Sequence, residues 1–363
     1  MNIFFFALDV SIKGGTEGVT LKLANLFASR GYKVTVVSFF KVNAKESIAP
    51  VNVDIIYLNS YEYPLTHKIK RVVSFAKCYW KLRKLKQRAF VPHDDIYIGQ
   101  NFFPNMLLWL TGLAPYAIGC EHFKYDMYSD KVKSIRNYVY SHFRKIVALT
   151  DVDRDKFREH LGEEKVTTIP NMAIVKDDFD LDLNSKIIIS AGRLAPQKGY
   201  DFLIKAMKDV VKKHSDWKLN IWGEGDLRND LQKRIDDAGL QDNISLCGYT
   251  NDINKEFAKS AFYVLSSRFE GLPLVLIEAL SVGLPSVAFD CPSGPAELLA
   301  EGGGILVEKE NINKLAEAIN YMIEHPEYRE ECSKHKEFIR KNLSPDVIFS
   351  KWQNLFDEIK ESR

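Results

Sequence analysis

Short apolar runs alternate with amphipathic stretches along the whole chain, the pattern of parallel sheets covered by helices on both faces. In the first half these runs predict strands near 2–8, 33–39, 53–58, 95–99, 116–120, 145–149 and 165–169; in the second, near 186–191, 217–222, 243–247, 261–265, 285–289 and 304–307. Ile3 to Leu8 (IFFFAL) is apolar at every position rather than every second one, so it reads as a strand buried on both faces. The pattern predicts two doubly wound α/β sheets. Between the two series, residues 170–185 (PNMAIVKDDFDLDLNS) are polar, acid-rich and without period, which predicts one domain over 1–172 and a second over 173–344. Ser344 and Pro345 then open a helix, running to 363, whose Val347, Phe349, Trp352, Leu355 and Phe356 share a broad face and need an apolar surface to dock on.

With 363 residues, 46% of them hydrophobic, the chain can bury two ordinary cores. The net charge is only +2, yet residues 1–172 hold 25 Lys and Arg against 16 Asp and Glu, and the remainder 25 against 32. Much of the basic excess lies between Lys68 and Arg88. There Lys70, Lys77, Lys81, Lys84 and Arg88 share one helical face, and Ile69, Val72, Val73, Ala76, Tyr79 and Trp80 form another. Such a helix either packs its apolar stripe on the first sheet or rests on an anionic lipid surface. The five cysteines are odd in number and lack metal-ligand spacing, so neither a disulfide framework nor a zinc site is indicated, and a reducing cytoplasm is expected. Ile3 to Leu8 is too short for a signal peptide or a membrane span. Asp151 to Asp155 (DVDRD) reads as an acid-rich helix start rather than a metal motif.

The candidate chemistry concentrates in Arg268 to Gly283 (RFEGLPLVLIEALSVG). Pro273 suits the start of a helix, Gly283 suits a left-handed cap at its end, and Pro285 forbids continuation, so a helix of about ten residues is expected. Its first amides and dipole favour a phosphate, with Glu270 in the loop before it and Glu278 projecting from it toward sugar hydroxyls. The same spacing fits a surface loop with two solvated glutamates. Upstream, AGRLAPQKG follows the strand KIIIS and places Arg193 and Lys198 in a strand-to-helix loop, where both cations can reach one diphosphate. The Gly14, Gly15, Gly18 loop after the first strand fits neither the dinucleotide fingerprint nor the P-loop motif. His122 comes just after the apolar strand 116–120 and reads either as a site residue at a strand end or as a structural histidine, and Gly223, Glu224 and Tyr249 follow two other strands; Tyr249 reads either as a base contact or as packing.

Taken together, AGRLAPQKG, WGEGDL, the E-x7-E stretch and SVAFDCPSGPAE resemble the family-4 glycosyltransferases, retaining enzymes of the GT-B fold, above all bacterial members that assemble surface polysaccharides. The likeness runs from GGTEG to the C-terminal helices. It implies two Rossmann-like domains facing across a cleft, the first (1–172) binding the acceptor and the second (173–344) the donor, with the last helix (345–363) crossing back to the first. Arg193 and Lys198 would hold the donor diphosphate, Glu270 the sugar hydroxyls, Glu278 the ribose, and amides near Gly271 and Leu272 the distal phosphate. Gly14 and Gly15 would approach donor phosphate and acceptor, Gly192 would belong to the donor loop, and His122 would stand near the reacting sugar carbon.

The resemblance further implies a hexose or N-acetylhexosamine moved from a nucleotide sugar, with UDP preferred, to a glycan or lipid-linked glycan at the inner face of the cytoplasmic membrane. It implies no metal, no further cofactor and no nucleic-acid partner. Two other readings are an isomerase of the same fold that turns over without acceptor and a sugar-nucleotide-binding protein without catalysis.

Overall fold

The computed structural model describes residues 2–12, 14–42, 52–59, 68–91 and 94–361. Contacts divide the chain into two compact units, Met1–Met172 with Ile348–Arg363, and Ala173–Val347. The first unit holds β1 (Asn2–Ala7), β2 (Lys33–Ser38), β3 (Val53–Tyr57), β4 (Ile96–Gln100), β5 (Ala117–Glu121), β6 (Lys145–Ala148) and β7 (Val166–Thr168) in one all-parallel sheet. The second holds β8 (Ile187–Ala191), β9 (Lys218–Trp222), β10 (Ile244–Gly248), β11 (Phe262–Leu265), β12 (Ser286–Phe289) and β13 (Gly304–Val307), likewise all parallel. Each expected strand is present, with both ends within about one residue. Sheets buried on both faces demand uninterrupted apolar runs, and Ile3 to Ala7 are all buried.

The strand orders locate the sites. In the first sheet the order is β3-β2-β1-β4-β5-β6-β7, and in the second β10-β9-β8-β11-β12-β13. The winding reverses between β1 and β4 and again between β8 and β11, and open α/β sheets bind ligands outside the carboxyl ends of strands at such a switch point.

The helix Pro345–Glu361 supplies the first unit with Phe349, Trp352 and Phe356, all buried. Their ring centres lie 5.7, 6.1 and 5.5 Å from that of Phe27, itself inaccessible to solvent. Phe27 also meets Phe5 of β1 at 6.1 Å, so the rings tie this helix to the sheet.

One expectation needs correction. The helix Lys68–Ala89 turns Cys78 and Leu82 into the core, flanked by Phe75, Tyr79 and Leu85, a stripe at i, i+3, i+4, i+7 and i+10. Among the described residues of the expected apolar face, only Tyr79 packs inward. Val72, Val73 and Trp80 remain 69, 47 and 56% exposed, beside exposed Lys77, Lys81, Lys84 and Arg88. The sequence offers two apolar stripes here, and the sheet takes the one carrying Cys78 and Leu82. The side chains of Ile69 and Lys70 lie outside the described residues.

Candidate active site

In the second unit, the loops leaving β8 and β11 meet at the switch point. The Lys198 ammonium lies 2.7 Å from Glu270 Oε1, although 72 residues separate the two. Glu270 is buried, and three side chains hold its carboxylate: Lys198, Ser267 Oγ, which donates to Oε1 at 2.6 Å, and Gln197 Nε2, which donates to Oε2 at 3.3 Å. A shielded ion pair with every oxygen engaged is held in place rather than drifting as a surface pair does. Gln197 also donates to the Phe269 carbonyl at 3.0 Å, and Ser266 Oγ to the Lys198 carbonyl at 3.0 Å.

Glycines let the backbones close in. Gly192 has φ +155, and a Cβ there would meet Lys198 Cε at 2.9 Å. At Gly223, with φ +140, a Cβ would stand 1.9 Å from the Gly192 carbonyl oxygen, so no other residue fits without moving the loop. The Gly192 N–H donates to the Trp222 carbonyl at 2.9 Å, and the Leu194 N–H to the Glu224 carbonyl at 2.9 Å. The loops after β8 and β9 are therefore one knitted surface. Arg193 stands exposed on it. Glu224 pairs with Arg228 at 3.0 Å, and Tyr249 is 60% exposed, more than a packing residue would be.

The helix Leu274–Val282 begins after Pro273 with no side-chain cap, leaving its first amides available to an anion. Gly283 ends it at φ 86, with the Leu284 N–H donating back to the Ala279 carbonyl at 2.9 Å, the left-handed cap expected from the sequence. The observed helix has nine residues. Leu272 is buried and Gly271 half-buried at its entrance, and Gly294, at φ +76, passes so close that a Cβ would meet the Gly271 carbonyl oxygen at 2.2 Å. Burial lifts the Tyr263 phenol far above its ordinary value, and the charges of Glu270 and Glu278 add to the rise after that of Tyr200. Both carboxylates thus stand within electrostatic reach of one buried ring. Burial likewise pushes the Cys291 thiol up to about 12, with Glu270 the next cause, which leaves that thiol protonated beside the site.

The first unit's switch point is built differently. His122, directly after β5, donates its backbone N–H to Asn101 Oδ1 at 2.9 Å, and its Nε2 pairs with Gln100 Oε1 at the end of β4. Burial lowers its pKa to about 4, so the ring is neutral near pH 7. Asn101 is held at φ 69, ψ 172, a sparsely populated region costing on the order of 1–3 kcal/mol. Its own N–H donates to the Cys120 carbonyl at 2.8 Å, which secures it. Gly14 precedes the helix Gly15–Ser29, and a Cβ there would meet the Glu17 carboxylate at 2.1 Å. Asp9 pins the neighbouring loop by accepting from the N–H groups of Ser11 at 2.8 Å and Val42 at 2.9 Å.

Beside His122, Glu121 points inward. Tyr140 donates to it at 2.9 Å and Arg136 Nη1 lies 4.0 Å away. Burial, only partly opposed by Arg136, raises this carboxyl to about 7.

Lys198, Glu270, Glu278, Arg193, Gly192, Gly271 and Leu272 thus collect around the second switch point, with Gly223, Glu224 and Tyr249 at the ends of the adjoining strands; His122, Gly14 and Gly15 belong to the first. Sequence reasoning missed Gln197 and Ser267, which hold Glu270, and Gln100 and Asn101, which hold His122. Gln197 lies inside the first motif segment and Ser267 directly precedes the second, so proximity to Lys198 and Glu270 was the available signal. Gln100 and Asn101 carry none beyond lying at a strand end.

Two family models match the chain, Glycosyltransferase Family 4 over residues 13–173 and Glycosyl transferases group 1 over 173–337. An uncharacterized glycosyltransferase of Haemophilus influenzae is 27% identical over 97% of this chain and 99% of its own. The amylovoran biosynthesis glycosyltransferase AmsD of Erwinia amylovora is 25% identical over 96 and 97%. Among solved structures, a TarM variant of S. aureus in complex with fondaparinux, alpha-GlcNAc-glycerol and UDP superposes with a TM-score of 0.82 at 19% identity, over 98% of this chain and all of that one. With two parallel-sheet Rossmann-like units, matched in turn by these two models, the chain belongs to the GT-B glycosyltransferases.

Proposed function

We propose that this glycosyltransferase is a retaining hexosyltransferase that moves a hexose or N-acetylhexosamine from a nucleotide sugar, UDP-linked, to a glycan or lipid-linked glycan in bacterial surface polysaccharide assembly. The observation that carries the reading is the Lys198–Glu270 pair at the β8/β11 switch point, beside a helix start with no side-chain cap. The AmsD likeness supports polysaccharide assembly, and the UDP in the TarM complex supports the base.

Breaking the bond from sugar carbon to phosphate leaves an oxocarbenium-like sugar and a nucleoside diphosphate. Lys198, the exposed Arg193 and the amides around Gly271 and Leu272 lower the barrier by meeting the negative charge as it develops. These groups supply the positive charge, so the proposed reaction takes no metal and no further cofactor. Glu270 orients Lys198 and accepts from sugar hydroxyls, Glu278 accepts from the ribose, and Gly192, Gly223, Glu224 and Tyr249 bound the nucleotide. His122, neutral, is assigned a hydrogen bond to the reacting sugar, with Gly14 and Gly15 leaving room for donor and acceptor. The departing phosphate takes the acceptor proton on the face it leaves, which retains the anomeric configuration.

The exposed Val72, Val73 and Trp80 beside Lys77, Lys81, Lys84 and Arg88 support a peripheral contact with the cytoplasmic leaflet. Among the described residues, no helix is long and apolar enough to cross a membrane. The test is a thermal-shift screen of UDP- and GDP-sugars, followed by mass spectrometry with lipid-linked glycans and NMR of the new anomeric proton. Binding of a UDP-sugar and transfer with the anomeric configuration kept is the expected result. Transfer with inversion, or epimer formation without acceptor, overturns it.

A further inference from the structure

The loops carrying Lys198 and Glu270 come from strands that are neighbours in the sheet but far apart in the chain, and besides Gln197 and Ser266 one further side chain, that of Arg268, fastens them. Arg268, two residues before Glu270, donates its backbone N–H to the Gln197 carbonyl at 2.8 Å and its Nη1 to the Pro196 carbonyl at 2.7 Å. Its fork then takes both oxygens of Asp201, Nη1 to Oδ1 at 2.9 Å and Nη2 to Oδ2 at 2.8 Å. The guanidinium carbon lies 4.1 Å from the centre of the Phe202 ring, which stacks edge-on with Phe289 of β12. Arg268 therefore grips the β8 loop on both sides of Lys198.

The clamp is firm where it matters. Burial works against the Asp201 charge, yet the hydrogen bonds and charge of Arg268 outweigh it and hold the carboxyl below its ordinary value. Two parallel N–H donors also fix direction as well as distance, which a single point charge does not. Lys198 reaches Glu270 on a flexible stem, so the separation between the two loops sets where its ammonium stands.

We propose that Arg268 and Asp201 are positioning residues for glycosyl transfer: their bidentate pair sets the spacing of the two loops, and with it the point at which Lys198 meets the leaving diphosphate. The proposal rests on the donor reading above. Misplacing a catalytic group by about 1 Å costs on the order of a hundredfold in rate, whereas loosening one partly exposed ion pair by a conservative substitution costs on the order of 1 kcal/mol in stability. Activity and stability should therefore separate.

The experiment compares wild type, Arg268→Lys, Asp201→Asn and the double variant in donor titrations of transfer, with melting temperatures in parallel. Arg268→Lys keeps the charge and gives up the fork; Asp201→Asn keeps one acceptor and gives up the charge. Each single variant is expected to lose about tenfold or more in kcat with donor KM within about threefold and a melting temperature within about 3 °C of wild type. The double variant should be no worse than the poorer single one, since both remove the same contact. Asp201→Asn, the milder change, carries the test alone if Arg268→Lys does not fold. Losses under twofold, additive losses, or losses that follow the melting temperature overturn the clamp while wild-type transfer stands. A wild-type chain that neither binds nor turns over any nucleotide sugar removes the donor reading, and the clamp with it.

Discussion

The two switch points share a topology and differ in chemistry. At the β8/β11 point a buried carboxylate and an ammonium face each other at 2.7 Å, and loops from two neighbouring strands are stitched by side chains on both. At the β1/β4 point the groups around His122 are neutral, His122 itself with Gln100 and Asn101, and a strained backbone at Asn101 fixes them, while the carboxylates of Asp9 and Glu17 stand on the β1 side of the same point. The first unit carries the basic excess of the chain, yet these three groups at its switch point hold none of it. Fold topology fixes where chemistry can occur, and the loop residues decide which kind.

Lys198→Ala or Glu270→Ala tests the charged site most severely. Either should reduce transfer by about 100- to 1000-fold, the scale for removing one group aimed at developing charge, measured by release of nucleoside diphosphate. Near-normal turnover would erase the contrast between the two sites. Next in size is the pH behaviour of Glu121. Its folded value of about 7 lies above the ordinary 4.5, so its contribution to stability is fully present below pH 4.5 and is lost as pH rises through 7. Glu121→Gln should remove a slope of up to about 1.4 kcal/mol per pH unit across that window, read from melting temperatures at pH 5 to 8; parallel curves would contradict it.

His122 has the opposite sign. Its folded value of about 4 lies below the ordinary 6.5, so stability is lost as pH falls from 6.5 toward 4. His122→Ala should cost about 1 kcal/mol in transition-state binding, a fewfold in rate, and leave the shape of the pH profile between 5 and 8 unchanged. A lost inflection in that range would show a titrating ring and sharpen the comparison the other way. On transfer itself the smallest effect is at the membrane: neutralising Lys70, Lys77, Lys81, Lys84 and Arg88 touches no residue of the site, while at roughly 1 kcal/mol per cation near the surface it should abolish most of the pelleting with anionic vesicles. Equal pelleting ends that idea.

Strands were legible because burial on both faces leaves an apolar run, as in Ile3 to Ala7, whose shortness and aromatic or β-branched residues set it apart from a buried helix. The turn chemistry of Gly283 was legible for a similar reason: few residues take a left-handed cap. The face of the helix Lys68–Ala89 was not, because Val72 and Trp80 look as buriable as Phe75 and Leu82 until the sheet is present. Arg268 stood in the quoted motif without a role, since its partner Asp201 lies 67 residues away and only folding introduces them. Side chains that act on other side chains leave no spacing to read.

The aromatic knot around Phe27 bears on how the protein is made. Phe349, Trp352 and Phe356 belong to the unit that begins the chain, yet the ribosome must first translate the whole of Ala173–Val347. During synthesis the early unit therefore waits with an uncovered apolar seam until that last helix is made.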